Sequence, residues 1–308
     1  MILALTGGTG FVGRATIARA LEAGHEVRAL TRRAQAAHTG VTWVAGALDD
    51  AASLATLVAG ADAVIHIAGV VNAADRAGFV AGNVAGTRAI VAASAGKRFV
   101  HVSSLSAREP QLSDYGWSKR EAETVVEASG LDWTIVRPTG VYGPGDTELR
   151  DMFRLARHGL ALLPPPGRVS LVHVDDLARL LVALASRPGG RDLYEVDDGV
   201  ALTHAGFAAA IGRAVGRRVL PLHLRAAVLR LGARIDRAVR GKDAKLTLDR
   251  ARYLAHPDWT ARASLRPTAD LWTPRIALDE GLAETARAYG LAPAPLRPHS
   301  IGTPPANS

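Results

Sequence analysis

Cysteine is absent from this chain of 308 residues, which excludes a disulfide framework, a thiolate metal site and a cysteine nucleophile. Aromatic residues make up only 5 %, too few for the stacked platform that binds single-stranded nucleic acid. No run approaches the roughly 18 apolar residues needed to cross a bilayer. The N-terminus enters an apolar run directly, without the basic and apolar regions of an export signal. Acidic residues are the minority, 29 against 37 lysines and arginines, for a formal net charge of +8. The arginines are spread along the chain, so the charge reads as a solvated surface with some attraction for an anionic cofactor. No nucleic-acid partner is expected, and no group of His, Asp and Glu has metal spacing.

What is present is the composition of a globular protein, 48 % hydrophobic, for which a cytoplasmic location is the expectation. Val- and Ile-rich runs at 2–5, 26–30, 41–44, 62–67, 97–102 and 132–136 alternate with Ala-rich helical stretches at 14–23, 51–59, 83–95 and 118–129. That alternation predicts an α/β fold, a Rossmann-type doubly wound parallel sheet with a smaller C-terminal substrate-binding region. The rhythm breaks past residue 140. The expected organisation is a dinucleotide-binding domain over 1–140, with strands from about 169–200 returning to it. An interleaved substrate-binding domain would cover 141–290 and a flexible, proline-rich tail 291–308.

Thr6-Gly7-Gly8-Thr9-Gly10-Phe11-Val12-Gly13 follows the first strand and opens a helix. Gly7 and Gly10 allow a tight turn close to a pyrophosphate, Gly13 lets the helix lie near the strand, and the helix N–H groups at Phe11 and Val12 face the anion. The second strand ends in Thr31-Arg32-Arg33, where NAD-specific folds place an acid for the ribose 2′-hydroxyl. No acid stands there. Arg32, with Arg33 in reserve, pairs with a 2′-phosphate by a charge-assisted fork, and Thr31 donates to it. NADP(H) is therefore the expected cofactor, with NAD(H) as the alternative.

A second cluster supplies chemistry. Ser103, Ser104 and Ser106 follow the strand at 98–102, and Tyr115 precedes Lys119 by four residues, which on a helix puts phenol and ammonium on one face. A neighbouring cation favours the phenolate. Tyr115 is then the expected acid/base toward a substrate oxygen held by Ser104, with Ser106 as the substitute.

Taken together, these residues resemble the extended short-chain dehydrogenases/reductases, the NAD(P)-dependent epimerase/dehydratase family. The resemblance runs from Met1 to about Tyr289. It rests on the 6–13 cradle, Ala68-Gly69, Asn83-Val84-Ala85-Gly86-Thr87, the Tyr115/Lys119 pair, Arg137-Pro138-Thr139-Gly140 through Gly145, Val172 to Asp176, and Leu278-Asp279-Glu280-Gly281-Leu282. It implies hydride transfer at a nicotinamide ring, with Ser104, Tyr115 and Lys119 as the catalytic residues and Lys119 on the nicotinamide ribose. Ala68, Gly69, Pro138 and Thr139 are implied near the cofactor, and Asn83 either there or as a helix N-cap. Two departures stand out. Gly46-Ala47-Leu48-Asp49 lacks the family's acid at the adenine edge, leaving packing by Leu48 and backbone to hold that ring. The interval from Ser104 to Tyr115 lacks the insertion typical of enzymes acting on nucleotide sugars.

The function expected is an NAD(P)-dependent oxidoreductase interconverting a secondary alcohol and a ketone. The alternatives are a nucleotide-sugar epimerase or dehydratase that retains its cofactor, and a non-catalytic dinucleotide-binding scaffold. A small-molecule substrate is the expected partner, a homodimer is left open, and a membrane surface is not expected. The apolar face of 221–240 (Val228, Leu231, Ile235, Val239), set apart from Arg230, Arg234 and Arg237, is expected to pack on its own domain, with a membrane surface or a partner as the alternative. His66 and His101 read as satisfied core or strand-end histidines, not ligands, His173 and Asp176 as structural, and Asp175 as the cap of the helix that follows.

Overall fold

The structure, a computed structural model, describes residues 1–241 and 246–293. Its first half alternates strand and helix. The strands are β1 (Ile2–Thr6), β2 (Glu26–Thr31), β3 (Val41–Ala45), β4 (Ala63–His66), β5 (Arg98–Val102) and β6 (Asp132–Pro138). The helices between them are α1 (Phe11–Glu22), α2 (Ala51–Val58), α3 (Arg76–Phe79), α4 (Gly86–Ala93) and α5 (Asp114–Glu127). Beyond these come β7 (Gly140–Tyr142), α6 (Arg150–Arg157), β8 (Leu160–Leu163), β9 (Arg168–Val169), β10 (Leu171–His173), α7 (Val174–Ala185), β11 (Asp192–Val196) and β12 (Leu202–Thr203). The chain continues through α8 (His204–Ala214), β13 (Leu220–His223), α9 (Ala226–Arg240), α10 (Leu248–Leu254), β14 (Asp258–Trp259) and α11 (Leu278–Ala288).

Seven strands form one parallel sheet in the order β11-β6-β5-β4-β1-β2-β3. The strands are apolar on both faces because helices cover both. On one side Leu3, Leu5, Val100 and Val136 pack with Ile17 and Ala20 of α1 and Leu177, Leu180 and Leu181 of α7. On the other, Ala4, Val64, Phe99 and Ile135 pack with Leu54 and Leu57 of α2, Ile90 of α4 and Val126 of α5. Strand order reverses between β1 and β4, so the crevice outside their C-terminal ends is where such a sheet receives a ligand.

The later segments show where sequence patterning misleads. The run at 169–174 does not return to the main sheet. It splits at Ser170, whose N–H donates to the Trp259 carbonyl and whose hydroxyl accepts from Ala261 N–H. β9 pairs with β12 and β14, and β10 pairs with β7, while β11 alone rejoins the seven strands. A further apolar cluster gathers Tyr142, Phe153, Phe207, Ile211 and Leu282. Leu291 and Ala292 pack on that cluster, and Leu291 N–H donates to Ala286 O at 2.8 Å. The expected tail therefore begins later than Leu291, and its remainder, 294–308, lies outside the described residues. The cap of α7 is not Asp175 but His173, whose Nδ1 accepts from Asp175 N–H at 3.3 Å. Asp176 is a structural anchor, accepting from Arg275 N–H and Ile276 N–H.

The apolar face of α9 does not pack inward. Leu229 and Ala233 are the residues it buries, against Ala251 of α10. Val228, Leu231, Ile235 and Val239 are exposed. Leucines at i and i+4 set the inward stripe, and the longer stripe at 228, 231, 235 and 239 falls on the far side of the same helix.

Candidate active site

The glycine turn between β1 and α1 is dictated by crowding. Gly7 sits at φ +76°, and a Cβ there would stand 2.7 Å from Ala68 N. A Cβ on Gly13 would stand 2.1 Å from the Gly7 carbonyl oxygen, so only glycine lets α1 press on its own entry turn. Gly10 N–H donates to Gly7 O at 3.0 Å, closing the turn. No side chain caps α1 at Gly10 and its first turn carries no acid, so the N–H groups from Phe11 and Val12 onward and the positive end of the helix are free for an anion. Pro144 and Gly145 wall this opening together with Phe11 and Arg14. The donor set fits a dinucleotide pyrophosphate.

Beside the turn, Ala68 and Gly69 leave β4. A Cβ on Gly69 would lie 2.9 Å from Asn83 Oδ1 and 3.9 Å from Lys119 Nζ, which brings loop, asparagine and lysine together. Asn83 is buried within a wide helical turn at 80–85, so it is not an N-cap. Its Oδ1 accepts from Val70 N–H at 2.7 Å, and its Nδ2 donates to Val70 O at 3.0 Å and to Ser118 Oγ at 2.9 Å. It ties the loop after β4 to α5, one residue before Lys119. On the far side, Pro138 ends β6 and Thr139 is fixed by two bonds to Val196 O of β11.

Ser113 caps α5 through Gly116 N–H, so Tyr115 and Lys119 lie in the first two turns on one face. Tyr115 is buried. Burial pushes its phenol pKa up, and a hydrogen bond with Ser104 pulls it partly back. The net shift is upward, not the lowering expected from the sequence. The Lys119 ammonium is directed to Val102 O at 2.8 Å, and burial lowers its own pKa to about 8 against the smaller pull of Glu123. Ser104 caps the short turn Leu105–Arg108, and Ser106 Oγ donates to Ser104 Oγ at 2.9 Å. The two serines thus form a chain rather than substituting for each other. The arrangement can hold a carbonyl oxygen at Ser104 and deliver a proton to it from Tyr115.

His66 bridges Thr6 Oγ1 at 2.6 Å and Thr87 Oγ1 at 3.0 Å, as a satisfied core histidine should. His101 departs from that expectation. It stacks on His66 at 5.3 Å, fully buried, with neither ring nitrogen partnered among the described residues. Burial lowers both, with Lys119 adding to it; His66 falls to about 3 and His101 far below its usual value.

At the end of β2, Arg32 and Arg33 are exposed and make no ion pair with the described residues. Thr31 is not a free donor: it is buried and its hydroxyl donates to Arg33 O at 2.6 Å. Leu48 packs on Gly86, where a Cβ would approach it to 2.7 Å.

Sequence reasoning missed the cover over Tyr115. Asp249 at the start of α10 accepts from Asp114 N–H at 2.7 Å. Tyr253 of α10 stacks on Trp259 at 4.4 Å, and its pKa is pushed up to about 12 by burial and by the neighbouring Tyr115. Arg108 holds the strand beneath, donating to Asp258 O and Thr260 O at 2.7 and 2.9 Å. A tyrosine and a tryptophan six positions apart, in a chain so poor in aromatics, were the available signal.

Comparison with known proteins bears on the same architecture. Residues 7–188 match the NAD(P)H-binding family. The chain is 36 % identical over 305 residues to a ceramide reductase of Caulobacter vibrioides, covering 94 % of this chain and 95 % of that one. It is 32 % identical over 184 residues to the 4-hydroxy-2-methyl-3-oxo-4-farnesyl-3,4-dihydroquinoline-1-oxide ketoreductase of Stigmatella aurantiaca, covering 50 % of this chain and 55 % of that one. Among solved structures, a human epimerase family protein crystallised with NADPH superposes with a TM-score of 0.74 at 20 % identity, over 93 % of this chain and 99 % of that one. The chain belongs to the extended short-chain dehydrogenases/reductases. Within that family it is an NAD(P)-dependent oxidoreductase.

Proposed function

We propose that this enzyme interconverts a ketone and a secondary alcohol on a long-chain lipid, with NADP(H) preferred. The observation that carries the catalytic assignment is the Tyr115 phenol against Ser104, with Lys119 one turn on and beside Gly69 of the loop after β4. NADPH, when bound, supplies the hydride. Ser104 holds the substrate oxygen, and Tyr115 gives it the proton that completes the alcohol. Lys119, beside Gly69 and Asn83, binds the nicotinamide ribose and keeps a positive charge near the phenol as it ionises. Gly7, Gly10, Phe11 and Val12 hold the pyrophosphate, Leu48 packs on adenine, and Ala68, Pro138 and Thr139 border the nicotinamide side.

The lipid reading is supported by the two relatives, whose substrates are a ceramide and a farnesylated quinoline oxide. It is also supported by Tyr253, which neighbours the Tyr115 phenol and stacks on Trp259. The preference for NADP(H) is supported by the two unpaired arginines after β2 and the absence of an acid there. Titration of the purified protein with NADPH and NADH, followed by turnover on a 3-keto long-chain lipid and on UDP-glucose, tests the proposal. Tighter binding of NADPH and reduction of the lipid are expected, with Arg32→Ala lowering the preference about tenfold as one charged phosphate contact is lost. Equal or tighter NADH binding would overturn the cofactor assignment. Turnover of UDP-glucose with tightly retained nucleotide would favour the epimerase alternative.

A further inference from the structure

A two-stranded ribbon and the helix that follows it expose apolar rows to solvent. β8 and β13 form a parallel ribbon in which Leu160 lies opposite Leu220 and Leu162 opposite Leu222. Ala161 and Leu163 are buried against α8, so all four leucines occupy the outer face, each exposed. The chain leaves β13 at His223 and enters α9 at Ala226, whose outward row is Val228, Leu231, Ile235 and Val239. On α9 alone, four exposed aliphatic side chains fall on one helical face, more than the single scatter of an ordinary surface.

The charge in this stretch is predominantly positive. Between positions 217 and 240 stand seven exposed arginines, Arg217, Arg218, Arg225, Arg230, Arg234, Arg237 and Arg240. The single acid in that interval, Asp236, is paired with Arg240 at 3.3 Å. On α9, Arg230 and Arg234 project about 100–140° from the apolar row, at the level where a helix lying in a bilayer interface carries its cations. Arg225, just before the helix, falls on the opposite flank of the row. An aliphatic row between arginine flanks complements an anionic lipid surface: the row enters the acyl boundary and the guanidinium groups meet headgroup phosphates.

We infer that the outward row of α9, with its flanking arginines, docks on an anionic phospholipid bilayer. This revises the expectation that no membrane surface is engaged. It deepens the lipid-substrate reading and rests on that reading for its purpose, though the docking itself does not require it. α9 packs on α10, and α10 carries Asp249 and Tyr253 to the start of α5 and to Tyr115. The docked row of α9 therefore stands one helix away from the cover of the active site.

Co-flotation of the full chain with vesicles of phosphatidylglycerol and phosphatidylcholine, and with vesicles of phosphatidylcholine alone, is the test. Binding to the anionic vesicles, weakened by 0.5 M salt, is expected. Leu231→Gln combined with Ile235→Gln, and separately Arg230→Gln combined with Arg234→Gln, should each lower partitioning at least about tenfold. These exposed positions should leave the thermal melt unchanged, as well as turnover of a water-soluble ketone. Reduction of a vesicle-embedded keto lipid should fall with partitioning. Absence of flotation at low salt overturns the docking, and so does a dimer in sedimentation analysis that Leu231→Gln with Ile235→Gln dissolves, because the row is then covered by a second copy. Flotation as expected, without reduction of any keto lipid, would leave the docking standing and overturn the lipid-substrate reading.

Discussion

The Tyr115 phenol is hydrogen-bonded to Ser104, and the burial that raises its pKa keeps it protonated. Such a phenol is a proton donor held ready for an alkoxide. Tyr115→Phe removes the donor but no group assigned to pyrophosphate or adenine. The expected result is a loss of turnover by about 10²–10⁴-fold with NADPH affinity essentially unchanged in fluorescence titration; near-native turnover would show that another group moves the proton. Lys119 gives a pH signature. With its pKa at about 8, the ammonium is charged below that pH and neutral above it. Turnover and NADPH affinity should therefore decline together as pH rises through about 8. Lys119→Arg, which stays charged throughout, should move that decline to higher pH, and an unmoved profile would assign it to a different group.

At the scale of elements, α10 is the part whose role the structure adds. Its Asp249 accepts from Asp114 N–H at the positive end of α5, so it fastens the cover to the helix that carries Tyr115. Asp249→Ala should raise KM for substrate severalfold with a smaller effect on kcat, and lower stability by about 1 kcal/mol. Asp249→Asn, which keeps an acceptor oxygen, should recover most of the KM; equal damage from both variants would mean that the carboxylate charge, not the bond, matters. Elements like this one were the hardest to read. The first six strands fall where Val/Ile runs stand between helical stretches, because a parallel sheet buried on both faces leaves a continuous apolar signature. The cradle and the Tyr115/Lys119 spacing were legible for a similar reason: each is local, set by a turn or by one helix repeat. By contrast, Ser170 splits an apolar run through bonds to residues about ninety positions away. Tyr253 reaches Tyr115 through a tertiary approach that leaves no local period. The outward row of α9 has the same spacing as an inward one, and only its packing partner distinguishes them.

At the scale of the molecule, the order of the seven strands brings β1, β4 and β5 side by side. Their histidines and hydroxyls therefore share one layer beneath the nucleotide cradle, with Thr6, His66 and His101 in adjacent strands. The stacked imidazoles have a consequence for the folding equilibrium as a whole. His66 takes a proton only near pH 3 in the fold, and His101 is likewise held far below the ordinary 6.5 to which both return when the chain unfolds. Their contribution to stability is fully present above pH 6.5 and is lost as pH falls from there toward 3. At pH 5, unfolding should thus absorb about two protons from the medium on account of these rings. Calorimetric unfolding in acetate and in a buffer with a larger heat of ionisation would measure that uptake as the difference between the two enthalpies. His101→Phe, which keeps the stack without a titrating nitrogen, should reduce it by about one proton, and an unchanged uptake would place the acid sensitivity elsewhere. The layer that shapes the dinucleotide site is thereby also a proton sink, closed while the protein is folded and opened by its collapse in acid.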